Sequence, residues 1–255
     1  MNDLDVALAA SRAGAAIIRE RFGTAFRTDW KGDVDPVTEV DQLAEHAILS
    51  VIRAHRPEDR VLAEESGGDD WDRGRVWIVD PLDGTVNFVH GFPQVSTSVA
   101  LRHDGIGVVG VVESVVNHET FAAEAGAGAT LDGRPISVST IDEAGRALVG
   151  TGFAYDRQRR AQSMADTLAG VLQRFQGIRR VGSAALDLCW VAAGRMDAYW
   201  EFGVKPWDTA AGALIVEEAG GRISTFTGDA YPLDDPGIVA TNGLVHRALL
   251  QAISE

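Results

Sequence analysis

An α+β fold is expected from the residue pattern, on three grounds. Helical spacing of apolar residues marks segments near both ends of the chain and in its second half. Between them, β-branched runs follow one another from SVAL through IGVVGVVESVV to TFAAEA, separated only by the turn signals HDG and NHE. Strands that succeed strands, rather than alternating with helices, point to antiparallel pairing and segregated helices. The third observation is VWIV, Val76 to Val79, a short continuous apolar run bounded by turn residues. Such a run reads as a buried strand.

With 255 residues the chain is long enough for one large domain, 1–255, built as two intimately packed halves of roughly 1–140 and 141–255. Hydrophobic residues make up 45% and charged residues 24%, the balance of an ordinary globular protein. A formal net charge of −14 argues against binding nucleic acid or an anionic membrane through a basic surface. The lone cysteine, Cys189, excludes an internal disulfide and a zinc cluster built on thiolates. It lies in the apolar run LDLCWVAA and reads as a small core residue. The first residues, MNDLDVALAA, are acidic and lack a basic leader, and no apolar run reaches the ~18 residues of a membrane span. A cytoplasmic protein is expected.

The elements follow in order. Leu4, Leu8, Ala15, Ile18 and Phe22 share one face of a first helix, which Gly23 ends. TAFRTDWKGDVDP, containing Lys31, is a loop or hairpin. A second helix begins at Thr38 with Leu43, Ala47, Ile48, Val51 and Ile52 on its apolar face. Thr38 and Asp41 form T-x-x-D, a capping box by spacing. RVLAEES is a strand ending in Glu64 and Glu65; adjacent strand residues point to opposite faces, so one of the two enters any site there. DDWDRGR is a polar loop that either shields the site or is simply solvated.

The strand at Val76 ends in Asp80, and Pro81 cannot continue a central strand. Asp83, Gly84 and Thr85 follow. Two carboxylates at a strand's carboxyl end either form a turn, since Asp and Gly are turn residues, or hold a cation. At 4 Å and an effective dielectric of ~20 their repulsion is about 4 kcal/mol. Hard oxygen ligands suit Mg²⁺. Gly84 and Thr85 open a helix or turn whose free N–H groups can bind phosphate.

Farther on, RALVGTGF is a strand, and RQRRAQSMADTLAGVLQRF is a helix with Met164, Leu168, Val171 and Leu172 inward and a solvated arginine face. Ser183 caps a helix that Gly194 ends. MDAYWEF is a strand, and its Glu201 is by position an ordinary exposed acid. Asp208 stands before the helix AAGALIVEEA as a candidate N-cap. The chain closes with the strand GIVATN and the helix LVHRALLQAI.

The whole string VWIVDPLDGTVNFVHGFP resembles the signature of the inositol monophosphatase family, with Val86 where the family usually has Thr. Asp35, Val37, Thr38 and Asp41 match its D-x-V-T-x-x-D element, and AEES matches G-E-E-S with Ala63 for Gly. AGAGATLDGRPI matches a hairpin with Asp132 in the usual Asn place. GSAALDLCWVAAGRMDAYWE and WDTAAGALIVEEAGG match two further blocks, so the resemblance runs along essentially the whole chain.

The resemblance implies a layered αβαβα sandwich of the inositol monophosphatase/fructose-1,6-bisphosphatase type, usually a homodimer. It implies hydrolysis of a small polyol phosphate, foremost inositol 1-phosphate, with two to three Mg²⁺ (Mn²⁺ a substitute) and sensitivity to Li⁺. Glu64, Asp80 and the Leu82 carbonyl would hold one ion; Asp80, Asp83 and Asp208 a second; Glu64 a third. Thr85, oriented by Asp41, would join Glu64 in activating water. Gly182, Ser183, Ala184 and Glu201 would face the polyol, and Asp83, Gly84, Thr85 and Asp208 would also touch substrate. His90 reads as structural or substrate-adjacent. Sister enzymes act on histidinol phosphate, fructose 1,6-bisphosphate, phosphoadenosine phosphate or NADP, and the metal motifs do not separate them. A regulatory protein on the same fold is the alternative from another class.

Overall fold

The computed structural model describes residues 1–24, 28–30, 36–68, 70–154 and 157–254. Lys31 and Asp35 lie outside them, as does Asp69 of the polar loop. In chain order the elements are α1 (Asp3–Arg21), β1 (Thr28–Trp30), β2 (Pro36–Thr38), α2 (Glu39–His55), β3 (Arg60–Ala63), β4 (Gly67–Gly68), β5 (Arg75–Asp83), α3 (Thr85–Val89), β6 (Ser96–His103), β7 (Ile106–Ser114), β8 (Glu119–Glu124), β9 (Gly128–Leu131) and β10 (Arg134–Pro135). After these come β11 (Leu148–Thr151), α4 (Arg157–Arg174), β12 (Gly177–Arg179), α5 (Ala184–Ala192), β13 (Ala198–Phe202), α6 (Pro206–Glu218), β14 (Arg222–Ser224), β15 (Gly237–Thr241) and α7 (His246–Ile253).

Strands β3 to β10 form one sheet, ordered β10-β9-β8-β7-β6-β5-β3-β4, and β11 to β15 a second, ordered β12-β11-β13-β15-β14. Helices α1 and α2 cover the outer face of the first sheet, α5 and α6 lie between the sheets, and α4 and α7 cover the outer face of the second. This is the layered αβαβα sandwich. Strand β5 shows why VWIV is uniformly apolar. Val76 and Ile78 enter the core between the sheets, while Trp77 and Val79 enter the core under α1 and α2. Both faces are covered, so the usual alternation disappears. Burying side chains of this size contributes about 1.5–3 kcal/mol each.

The helices depart from expectation in which residues they bury. On α1 the buried stripe is Val6, Ala7, Ala10, Ser11, Gly14, Ala15 and Ile18, with Leu4 and Leu8 only at its margin. Small residues let α1 approach α2 closely, and a hydropathy pattern undervalues them. Leu43 of α2 and Leu172 of α4 are exposed, and Val40, Ala44 and Leu49 take the inward places on α2. The arginine face of α4 is not wholly solvated, because Arg160 stacks on Phe202 with 4.3 Å to the ring centroid.

Two expectations about element ends are also corrected. Strand β5 does not stop at Asp80; it continues to Asp83 across a register shift against β6, and Pro81 sits within that irregularity where no ladder N–H is needed. Asp208 is not the N-cap of its helix. Lys205 occupies that place, Pro206 opens the helix, and Asp208 in the first turn accepts the Lys205 N–H at 2.7 Å. The described part of the DDWDRGR loop, 70–74, precedes β5 at the end opposite Asp80, with Trp71 against the core and under Arg102. It does not line the cavity described next. Cys189 is fully buried on α5, as expected of a core residue.

Candidate active site

The carboxyl end of β5 opens into a cavity of about 560 Å³ lined by Glu64, Asp80, Leu82, Asp83, Gly84, Thr85, Ala184, Gly182, Glu201 and Asp208 among others. Four elements deliver the acids. Glu64 stands just beyond β3, its N–H donating to the Val79 carbonyl of β5 at 3.1 Å. Asp80 and Asp83 flank the irregularity in β5, Asp208 comes from the first turn of α6, and Glu201 from β13.

Each is held by a different local device. Asp80 accepts the Leu82 N–H at 2.9 Å and shares a hydrogen bond with Glu64. Asp83 is tied to a segment a hundred residues away, accepting the Ser183 hydroxyl at 2.6 Å and the Ala185 N–H at 2.9 Å. The N-terminus of α5 therefore faces Asp83, where its dipole favours the charged form. Ser183 is buried beneath Asp83 and does not itself line the cavity.

Gly84 adopts a left-handed conformation, φ 93°, and caps α3. A Cβ there would stand 2.8 Å from the Gln94 carbonyl oxygen and 3.2 Å from that of Gly182, so both the turn and the close approach require glycine. Asn87 secures this junction by donating to the carbonyls of Gln94 at 2.7 Å and Val181 at 2.9 Å.

Thr85 lies 3.1 Å from Asp41 Oδ1 and 3.0 Å from the Leu82 carbonyl oxygen, and donates its single proton to one or the other. Asp41 is buried behind it. Its second oxygen accepts the Thr38 N–H at 2.8 Å and the Thr38 hydroxyl at 2.6 Å. The capping box and the link to Thr85 are thus one carboxylate doing both tasks.

Burial, followed by the charges of Glu64, Asp83 and Asp208, raises Asp80 well above the ordinary carboxylate range. Burial and the charges of Asp83 and Glu64 do the same to Asp208. Asp83 is raised by burial, with the Ser183 and Ala185 hydrogen bonds opposing. Burial also lifts Glu201 to about 7, against the Tyr199 hydroxyl that donates to it at 2.5 Å. Four acids cannot all be ionised side by side in so dry a place, and each raised proton affinity is a demand for positive charge. The donors are all oxygen, which fits a hard dication. Among the described residues no three His, Cys, Asp or Glu side chains already stand as a closed metal-holding set. Protons drawn to Asp80 and Asp208 compete for the place a cation would take.

Several residues of the cavity escape a motif reading. Arg180, Lys205, Phe153 and Trp207 line it, and Arg180 stacks on Phe153 with 5.5 Å to the ring centroid. Arg180 and Lys205 adjoin the GSAAL and PWD blocks, which is the only signal the sequence carries for them. Asp187 of α5, outside the cavity lining, likewise carries no signal of its own in the sequence. It is fully buried, and burial together with the charges of Glu201 and Asp83 raises its proton affinity far above the ordinary range. His90 is exposed after α3 and is not among the residues that line the cavity.

The model of the inositol monophosphatase family matches residues 2–255. The chain belongs to the inositol monophosphatase family. The family's members are phosphatases and are generally metal-dependent. An inositol-1-monophosphatase of Synechocystis is 43% identical over 98% of this chain and 88% of the relative. The Nus factor SuhB of Pseudomonas aeruginosa is 42% identical over 98% of this chain and 95% of its own length. Among solved structures, the extragenic suppressor protein suhB of Bartonella henselae superposes with a TM-score of 0.94 at 35% identity, covering 98% of both chains. No helix among the described residues is long and apolar enough to cross a membrane.

Proposed function

We propose that this family member is a Mg²⁺-dependent phosphatase of a small polyol phosphate, with inositol 1-phosphate as its foremost substrate. The observation that carries the proposal is the meeting of Glu64, Asp80, Asp83 and Asp208 in one cavity with the Gly84–Thr85 turn. Glu64, Asp80 and the Leu82 carbonyl are assigned to one Mg²⁺, Asp80, Asp83 and Asp208 to a second, and Glu64 to a third. The Leu82 oxygen has two lone pairs, so a contact with Thr85 does not prevent it from serving. Bound there, the dications would polarise the phosphate and lower the pKa of a water.

The chain's own residues do the rest. Asp41 takes the Thr85 proton as a hydrogen bond, which leaves the Thr85 oxygen's lone pairs to accept from a water on the cavity side. Glu64 is the carboxylate assigned to accept that water's proton. The N–H groups of Gly84 and Thr85 at the start of α3 are assigned to the phosphate oxygens. Gly182, Ala184 and Glu201 line the wall assigned to the polyol, joined by Arg180 and Lys205. Ser183 serves through Asp83 rather than by touching substrate.

The test is phosphate release with Mg²⁺ from inositol 1-phosphate, histidinol phosphate, fructose 1,6-bisphosphate, phosphoadenosine phosphate and NADP. Inositol 1-phosphate is expected to be the best substrate, and Asp83→Asn to abolish release with the fold retained. Unchanged hydrolysis in that variant would refute the metal assignment. A homodimer and Li⁺ inhibition belong to the same reading and are measured by light scattering and by the same assay. The relative named a Nus factor supports a second reading, a binding role beside catalysis. Asp83→Asn separates the two, since a surface role would survive it.

A further inference from the structure

Helix α2 carries two buried acids four residues apart, Asp41 and Glu45. Residues at that spacing share one helix face. Asp41 reaches Thr85. Glu45 reaches the turn after β3, where its Oε2 accepts the Glu65 N–H at 2.9 Å and its Oε1 the Ser66 N–H at 3.1 Å. Those two amides directly follow Glu64, whose own N–H is held by the Val79 carbonyl at 3.1 Å. The backbone around Glu64 is therefore clamped on one side by β5 and on the other by α2. The turn is tight as well, because Ala63 pairs with Gly67 and Leu62 with Gly68.

We propose that Glu45 is a positioning residue that aims the Glu64 carboxylate into the cavity. One rigid helix face then sets both groups assigned to the attacking water, Thr85 through Asp41 and Glu64 through Glu45. The geometry requires a carboxylate. Two adjacent N–H groups need two acceptor oxygens, whereas a glutamine offers one and turns an NH₂ toward the other amide. Hydrogen bonds to an ionised acceptor are also the stronger kind. Glu45 itself is only 6% exposed, but Glu65 is half-buried and Ser66 exposed, so an N–H released by a substitution turns to water, leaving the turn unclamped at small cost in stability.

This inference rests on the assignment of Glu64 to a metal ion and to water. Its test is Glu45→Gln, read by calorimetric titration of Mg²⁺ into metal-free protein, by thermal unfolding in EDTA, and by phosphate release. Partners that orient a ligand typically change metal affinity or activity by 10- to 100-fold, so Mg²⁺ affinity should fall by at least about 10-fold. The value of kcat should fall with it, and KM should move by less than about twofold, because the polyol wall is untouched. Unfolding in EDTA should stay close to wild type. Glu45→Asp keeps both oxygens on a shorter arm and should fall between the two. Wild-type Mg²⁺ affinity in Glu45→Gln overturns the proposal, and so does failure of both variants to fold, which would make Glu45 a stability residue. A wild-type protein that neither binds Mg²⁺ nor releases phosphate instead overturns the functional reading beneath it.

Discussion

Replacing Glu201 by Gln should make the stability of the metal-free protein less sensitive to pH. Glu201 lines the cavity beside Gly152, where even a Cβ would collide with its carboxylate. Burial lifts its pKa from an ordinary 4.5 to about 7. A carboxyl whose folded pKa lies above its unfolded value binds its proton more tightly when folded. It therefore contributes full stability below about 4.5, and that contribution is lost as pH rises through about 7. At about 1.4 kcal/mol per pH unit, the rise corresponds to roughly 3 kcal/mol. Because Glu201 is only partly shielded from the cavity, solvent screening reduces the expected effect to about 1–2 kcal/mol. Gln at 201 does not ionise and can still accept the Tyr199 hydroxyl with its amide oxygen. Urea unfolding of both proteins in EDTA, at pH 5 and pH 8.5, measures the effect. The variant should gain about 1–2 kcal/mol on wild type between the two pH values, or roughly 3–6 °C in Tm for a chain of this size. A difference between the proteins that does not change with pH would refute the reasoning.

Other expectations follow from the same geometry. Gly84→Ala places a Cβ 2.8 Å from the Gln94 carbonyl at φ 93° and should destabilise by about 1–3 kcal/mol in urea unfolding; a loss under half a kcal/mol would mean that the turn relaxes freely. Thr85→Val removes the hydroxyl that meets Asp41 and should lower kcat by about 100-fold, with Thr85→Ser recovering most of it; equal activity in the Val variant counts against a role for the hydroxyl. Asp80 and Asp208 hold protons more tightly than ordinary carboxylates, so protons and Mg²⁺ compete. The rise in Tm on adding Mg²⁺ should accordingly be smaller at pH 6 than at pH 8, and a rise independent of pH would count against these acids as ligands.

The inward network also explains why single residues at this site are hard to rank from sequence. Asp41 is both the capping-box acid of α2 and the partner of Thr85. Ser183 is both the N-cap of α5 and a donor to Asp83. Structural and functional readings of such residues do not compete, because a helix end supplies the polar groups that a charged site needs.

Features local in the chain are legible in its residues alone. The strand VWIV, the T-x-x-D capping box, the runs of β-branched residues and the order of the acid-bearing motifs all follow from periodicity, turn chemistry and short-range spacing. Remote relations emerge only on packing. The pairing of Asp83 with Ser183, the rank of alanines rather than leucines inside α1, the exposure of Leu43 and Leu172, and the entry of Arg180 and Lys205 into the cavity depend on how helices dock on sheets. The extension of β5 past Pro81 depends on its register against β6. The difference is one of range. Backbone preference and spacing act over a few residues, whereas contacts across a hundred residues are set only when packed faces, buried charge and sheet register are satisfied together.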